Sequence, residues 1–154
     1  MYGVSMKHTH RLHRIDSATA AGTSDTITSD ALDMGADGGY RNVTFLVLFG
    51  AIVSGAVTTI KIQQSSDDGV ADGYSDLEGT ALSVADTDDG KVIPIHVIRP
   101  TKRYLKVLVT RATQNSTIDG MLAIQYDGNE TPPTNESVTV ATGESHISPP
   151  EGTA

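Results

Sequence analysis

"KVIPIHVIRPTKRYLKVLVTR", residues 91–111, decides the fold. Ile93, Ile95 and Val97 fall on one side of an extended chain, and Leu105, Val107 and Val109 do the same further on, with Lys106 opposite. Arg99, Pro100, Thr101, Lys102 and Arg103 lie between the two runs and read as a turn, with Pro100 fixing the bend. A period of two on both sides of a turn is strand, turn, strand. Pro94 lacks an N–H, so its strand belongs at the edge of a sheet or at a bulge. An open edge invites pairing with another chain.

The same pattern extends outward. In "AVTTIKIQQ" (56–64), Thr58, Ile60 and Ile62 take one face, and Val57, Thr59, Lys61 and Gln63 the other. "NVTFLVLFGAIV" (42–53) is nearly all apolar and reads as a strand buried on both faces. In "TIDGMLAIQY" (117–126) the alternation groups Ile118, Leu122, Ile124 and Tyr126. Clusters of Gly, Asp, Ser and Thr at 22–30, 35–39, 65–76 and 86–90 are loop signals. The best helical window, 24–34, is too polar and too short. The expected architecture is all-β: a single β-sandwich or jelly-roll-like domain over 17–127. A basic N-terminal arm (1–16) and an acidic tail rich in Pro, Thr and Ser (128–154) flank it. The tail is expected to be extended and to point into solvent.

A chain of 154 residues holds one core. With 38% hydrophobic and 5% aromatic residues and no Trp, that core is aliphatic. The absence of Cys rules out disulfides and thiolate metal sites. The longest apolar candidate for a membrane span, Phe45 to Gly55, is broken by Gly50, Ser54 and Gly55. Lys7–Arg14 is followed by Asp16 and polar residues, which is not the pattern of a secretory signal. A pI near 4.9 weighs against broad nucleic-acid binding.

Candidate chemistry is sparse. His8 and His10 share a strand face, His13 falls on the other, and no nearby carboxylate completes a metal set. "DDGVADGYSDLE" (67–78) starts and ends like a calcium loop, but Asp72 stands where Gly is required. "DTDDG" (86–90) reads as an Asp/Gly turn, and His96 as a solvent-facing or interface residue. No nucleophile elbow, phosphate loop or dinucleotide fingerprint occurs. The expectation is no enzyme, and no catalytic, cofactor or metal residue.

Charge is the distinctive feature. The formal net charge is −8, yet five of the eleven Lys and Arg residues lie between Arg99 and Arg111, and none follows. A positive loop on an acidic body suits docking against an acidic protein surface. The residues expected to make that contact are Lys7, Arg11 and Arg14 from the arm, and Arg99, Lys102 and Arg103 from the turn.

Three segments carry a resemblance: "VTTIKIQQSSDD" (57–68), "YSDLEGTALSVADTDDGKVIPIHVIRPTKRYLKVLVTRAT" (74–113) and "TIDGMLAIQYDG" (117–128). Together they resemble a family of small virion proteins of tailed bacteriophages, the head decoration or cement proteins encoded beside the major capsid protein. The likeness runs from about Lys7 to Gly128, and the tail has no counterpart in it. The resemblance implies a β-sandwich without cofactor on the outer surface of the phage head. It implies the major capsid protein as partner and a homo-oligomer, a trimer favoured, with no nucleic acid or membrane bound. Rival readings are a head–tail completion or tail-tube component, and a carbohydrate-binding sandwich.

Overall fold

The alternating segments become strands. The computed structural model describes residues 9–144 and 151–152 and is nearly all β. The strands are β1 (His10–Asp16), β2 (Thr19–Gly22), β3 (Asp25–Thr28), β4 (Leu32–Asp33), β5 (Tyr40–Ile52), β6 (Val57–Ser65), β7 (Ser75–Asp76), β8 (Leu82–Val84), β9 (Val92–Ile98), β10 (Tyr104–Ala112) and β11 (Ser116–Gly128). One sheet has the order β1-β11-β5-β9, with β2 also on β11. The other has the order β3-β10-β6-β7, with β4 on β10 and β8 on β6. The two antiparallel sheets stack as a sandwich.

The core lies between the sheets. Val43, Phe45 and Val47 of β5 and Met121 and Ala123 of β11 meet Ile60 and Ile62 of β6 and Leu105, Val107 and Val109 of β10, all fully buried. The faces read for β6, β9 and β10 are the faces observed. β9 is an edge strand. Phe49 N donates to Lys91 O, and Arg99 N to Arg41 O. The odd-numbered residues therefore bond β5, and Pro94 sits on the free rim, where its missing N–H breaks no ladder. The 99–103 turn does not close a hairpin. It carries the chain from one sheet to the other.

Three expectations change. First, β5 is not buried on both faces. Val43, Phe45, Val47 and Phe49 are buried, whereas Thr44, Leu46 and Leu48 are half-buried, because the second sheet covers one face only. Second, the phase of β11 reverses within the strand. Ile118 pairs with Phe49 but Gly120 pairs with Leu48, so β11 spends one extra residue there. That bulge turns Met121, Ala123 and Gln125 inward and leaves Leu122 exposed, with Ile124 and Tyr126 half-buried. Gly120 takes φ +151°, a backbone conformation that a side chain would resist.

Third, residues 10–16 of the arm are a strand, in register with β11 from His10 opposite Tyr126 to Arg14 opposite Leu122. The described part of the tail turns back along that strand. Leu12 N donates to Asn135 Oδ1 (2.8 Å), Glu136 N to Leu12 O (3.2 Å), and Arg14 N to Thr139 Oγ1 (3.2 Å). An inward-facing cation on β1, Arg11, draws the tail in through Glu136.

Candidate protein-docking site

The turn between β9 and β10 and the loop between β4 and β5 meet at one end of the sandwich around a cleft of about 510 Å³. Met34, Tyr40 and Pro100 supply apolar surface there; Arg41, Arg99, Lys102 and Arg103 supply the charge. Both segments are anchored. Met34 N donates to Arg103 O (2.9 Å), Tyr40 N to Met34 O (2.8 Å), and Arg99 N to Arg41 O (3.0 Å).

The four cations are not equivalent. Arg103 binds Asp33 in a fork, Nε to Oδ1 and Nη2 to Oδ2, both 2.7 Å. This pairing holds the Asp33 carboxyl below the usual range. Its guanidinium also lies 5.1 Å from the Tyr104 ring centre. Gly35 makes room for that fork, since a Cβ there would come within 2.8 Å of Arg103 Nε. Lys102 Nζ lies 2.7 Å from Asp72 Oδ2. The lysine, helped by Ser66 N–H and O–H, lowers the Asp72 carboxyl to about 2. Arg41 and Arg99 differ from both, since neither side chain has a hydrogen bond or ion pair among the described residues. Tyr40 donates its hydroxyl to Asp37 Oδ2 (2.9 Å), and burial pushes its phenol well above the ordinary range.

The structure therefore brings Arg99, Lys102 and Arg103 together and adds Arg41, which the sequence reading missed. Arg41 stands 58 residues before Arg99 in an otherwise apolar stretch. The backbone bond from Arg99 to Arg41, just past the β5–β9 pairing, makes them neighbours. Lys7 lies outside the described residues. Arg11 is a correction: it is 6% exposed. Its Nη1 donates to Gln125 Oε1 (2.7 Å), Nη2 to Glu136 Oε2 (2.9 Å) and Nε to Thr134 O (3.0 Å), so it holds the fold and is not presented to a partner. Arg14 is exposed, but it lies along β1, outside the cleft, with Nε on Asp16 O (3.3 Å). Arg111, at the far end of the basic run, is buried.

The other candidates resolve into structure. His8 lies outside the described residues; His10 stacks on Tyr126 with ring centres 5.8 Å apart, and His13 faces inward. Asp67 accepts the N–H groups of Val70, Ala71 and Asp72 (3.1, 2.8 and 3.1 Å), so it folds its own loop. Asp86 accepts from Gly55 N (2.7 Å) and Asp89 from Ile52 N (3.0 Å), fastening the turn after β5. His96 Nδ1 lies 2.9 Å from Thr44 Oγ1 on the outer face of its sheet. No three His, Asp or Glu gather as a metal site among the described residues.

No protein-family model matches the chain, and no curated protein matches it. Among solved structures it is similar to the PBSX exported protein XepA, with TM-score 0.55 and 14% identity, over 94% of this chain and 47% of that one. The chain thus spans about half the length of XepA. It is also similar to VP2 of infectious bursal disease virus, with TM-score 0.49 and 16% identity, over 77% of this chain and 33% of that one. A Bacillus endospore appendage protein is aligned with TM-score 0.44 and 15% identity, over 79% of this chain and 91% of that one. The likeness to XepA is a likeness of fold.

Proposed function

We propose that the protein is a structural virion component, a decoration protein that binds the major capsid protein on the outer surface of a phage head. On this reading it performs no catalysis. Copies associate as a homo-oligomer, a trimer favoured, and strengthen the lattice by bridging its subunits. One observation carries the reading. An acidic body of net charge −8 gathers Arg41, Arg99, Lys102 and Arg103 at one anchored end. The resemblance in the sequence and the shared fold with XepA support it.

The mechanism is physical. Because the cleft is built from segments tied to two sheets, little conformational entropy is lost when it docks. Rim charges speed encounter with an acidic surface and are screened by salt. The exposed edge of β9, with Val92 and Ile98 half or more exposed, offers further backbone and apolar contact. The test adds purified protein to undecorated heads over a series of salt concentrations. Binding should saturate at a stoichiometry set by the lattice and weaken as salt rises. Occupancy of a single vertex would point to a completion protein, and salt-independent binding would remove the basic end from the contact.

A further inference from the structure

We infer that the space between Arg41 and Arg99 is a receptor for a carboxylate, supplied by an acidic peptide segment of the partner. The inference rests on the docking reading above and names the chemistry of what docks.

The β5–β9 register runs from Leu48 opposite Val92 to Asn42 opposite Ile98, and Arg41 and Arg99 flank its last pair. Arg99 N donates to Arg41 O at 3.0 Å, one further backbone bond beyond the end of β9. Both side chains line the same cleft, and like charges so placed repel. Every other cation at this end has an acid. Arg103 has Asp33 and Lys102 has Asp72, whereas Arg41 and Arg99 have none among the described residues. Arg99 also holds φ +52°, a left-handed conformation uncommon outside glycine, and a second bond from its N–H to Asn42 Oδ1 (3.2 Å) fixes it there. Two guanidinium groups that line one cleft and have no partner among the described residues make a fork for a bidentate anion.

The surroundings select the occupant. Pro100, half-buried in the cleft wall, offers apolar contact to the methylene stem behind a carboxylate. Asp33 and Asp72 offset the charges of Arg103 and Lys102, which leaves too little positive charge at the cleft for a long phosphate backbone. Tyr40 is 7% exposed, so it offers a base no platform for stacking. Two positive charges without an acid among the described residues fit one carboxylate or a short acidic run, not a nucleic acid.

The experiment titrates the full chain, observed by amide NMR, with a short Glu-rich peptide, with inorganic phosphate and with a single-stranded oligonucleotide. The peptide should shift the amides of Arg41, Arg99 and Gly35. An Arg41→Gln/Arg99→Gln variant should lose at least about tenfold in affinity, the scale of one charge-assisted bidentate pair. Lys102→Gln should lose no more than about threefold, since its charge is already matched by Asp72. Both substituted side chains in the double variant are exposed, and its thermal midpoint should equal or exceed that of the native chain, which separates lost binding from lost folding. Peptide binding that the double variant retains overturns the receptor, as does no peptide binding at all. Tighter binding of phosphate or oligonucleotide overturns the choice of a carboxylate. Head binding separates the two readings. If the double variant binds no peptide yet decorates heads normally, the receptor stands and the docking end is misassigned. If it fails on heads while the native chain ignores the peptide, the docking end stands and the carboxylate is wrong.

Discussion

Arg111 on β10 holds the carboxylate of Asp25 on β3 through two nitrogens, with Nε 2.7 Å from Oδ1. Its Nη1 donates to the carbonyls of Ala20 and Ser116, both at 2.7 Å. Asp25 pairs with Arg111 within one sheet, whereas Ala20 and Ser116 belong to the other. One buried guanidinium therefore ties the two sheets together at the end away from the 99–103 turn.

Replacing Arg111 by Ala should lower the free energy of unfolding by about 3 kcal/mol, because the buried Ser116 carbonyl, the part-buried Ala20 carbonyl and a carboxylate lose their donor together. Denaturant titration measures this. The pair also has a pH signature. Arg111 holds the Asp25 carboxyl below its ordinary 3.8, so the unfolded chain binds the proton more readily. That contribution is complete above pH 4 and is lost as pH falls through the lower folded value. Asp25→Asn should reduce the fall in thermal midpoint below pH 4 and leave its slope near neutrality unchanged.

Val107 and Ile124 separate the two kinds of alternating segment. Val107→Ala, on the fully buried face of a central strand, should cost about 2 kcal/mol. Ile124→Ala, on the half-buried outer face of β11, should cost less than about 1 kcal/mol. Equal losses would mean that the bulge at Gly120 does not reverse the strand.

Those two residues also show what a sequence can disclose. β6, β9 and β10 keep one phase from end to end, so their inward faces are legible from spacing alone. β11 changes phase at Gly120, and the extra residue is visible only against its partner β5. The inward face of β1 reads Arg11, His13, Ile15, which no rule of hydrophobic alternation selects. It becomes a core face only when Gln125 and Glu136 arrive from more than a hundred residues away. The candidate site divides likewise. Arg99, Lys102 and Arg103 are adjacent in sequence, whereas Arg41 joins them through a backbone bond just past the β5–β9 pairing. Local pattern reveals local neighbours, and pairing across sheets supplies the rest.

His13 gives a prediction in the neutral range. Its Nδ1 is buried without a hydrogen-bond partner among the described residues, and its neighbours include Arg11, Glu136 and Asp30. Burial, reinforced by Arg11, lowers its pKa below the ordinary 6.5. The unfolded chain therefore takes up the proton first, and stability falls as pH drops from above 6.5 through the folded value. A comparison of thermal midpoints at pH 7.5 and pH 5 should show a loss in the native chain that is reduced in His13→Phe. An unchanged loss would assign it to other groups.

The tail supplies the last prediction. Residues 134–139 cover the free edge of β1, with Asn135 and Thr139 accepting from Leu12 N and Arg14 N, and Glu136 N donating to Leu12 O. An uncovered edge strand is a template for another chain, and here the protein covers it with its own. The same segment brings Glu136 and the Thr134 carbonyl to Arg11, whose other partner is the buried Gln125. Ending the chain after Gly128 should therefore have two effects. Stability should fall by about 3 kcal/mol, because a buried cation keeps one acceptor where it had three. The bared edge should also promote concentration-dependent self-association, which light scattering after size-exclusion chromatography would measure against the full chain at equal concentration. Glu136→Gln separates the two effects. It removes the charge partner but leaves the backbone cover, so it should lower stability without promoting association. If the shortened chain is as stable as the full one and no more associated, the tail is a passive appendage, and Arg11 is held by Gln125 alone.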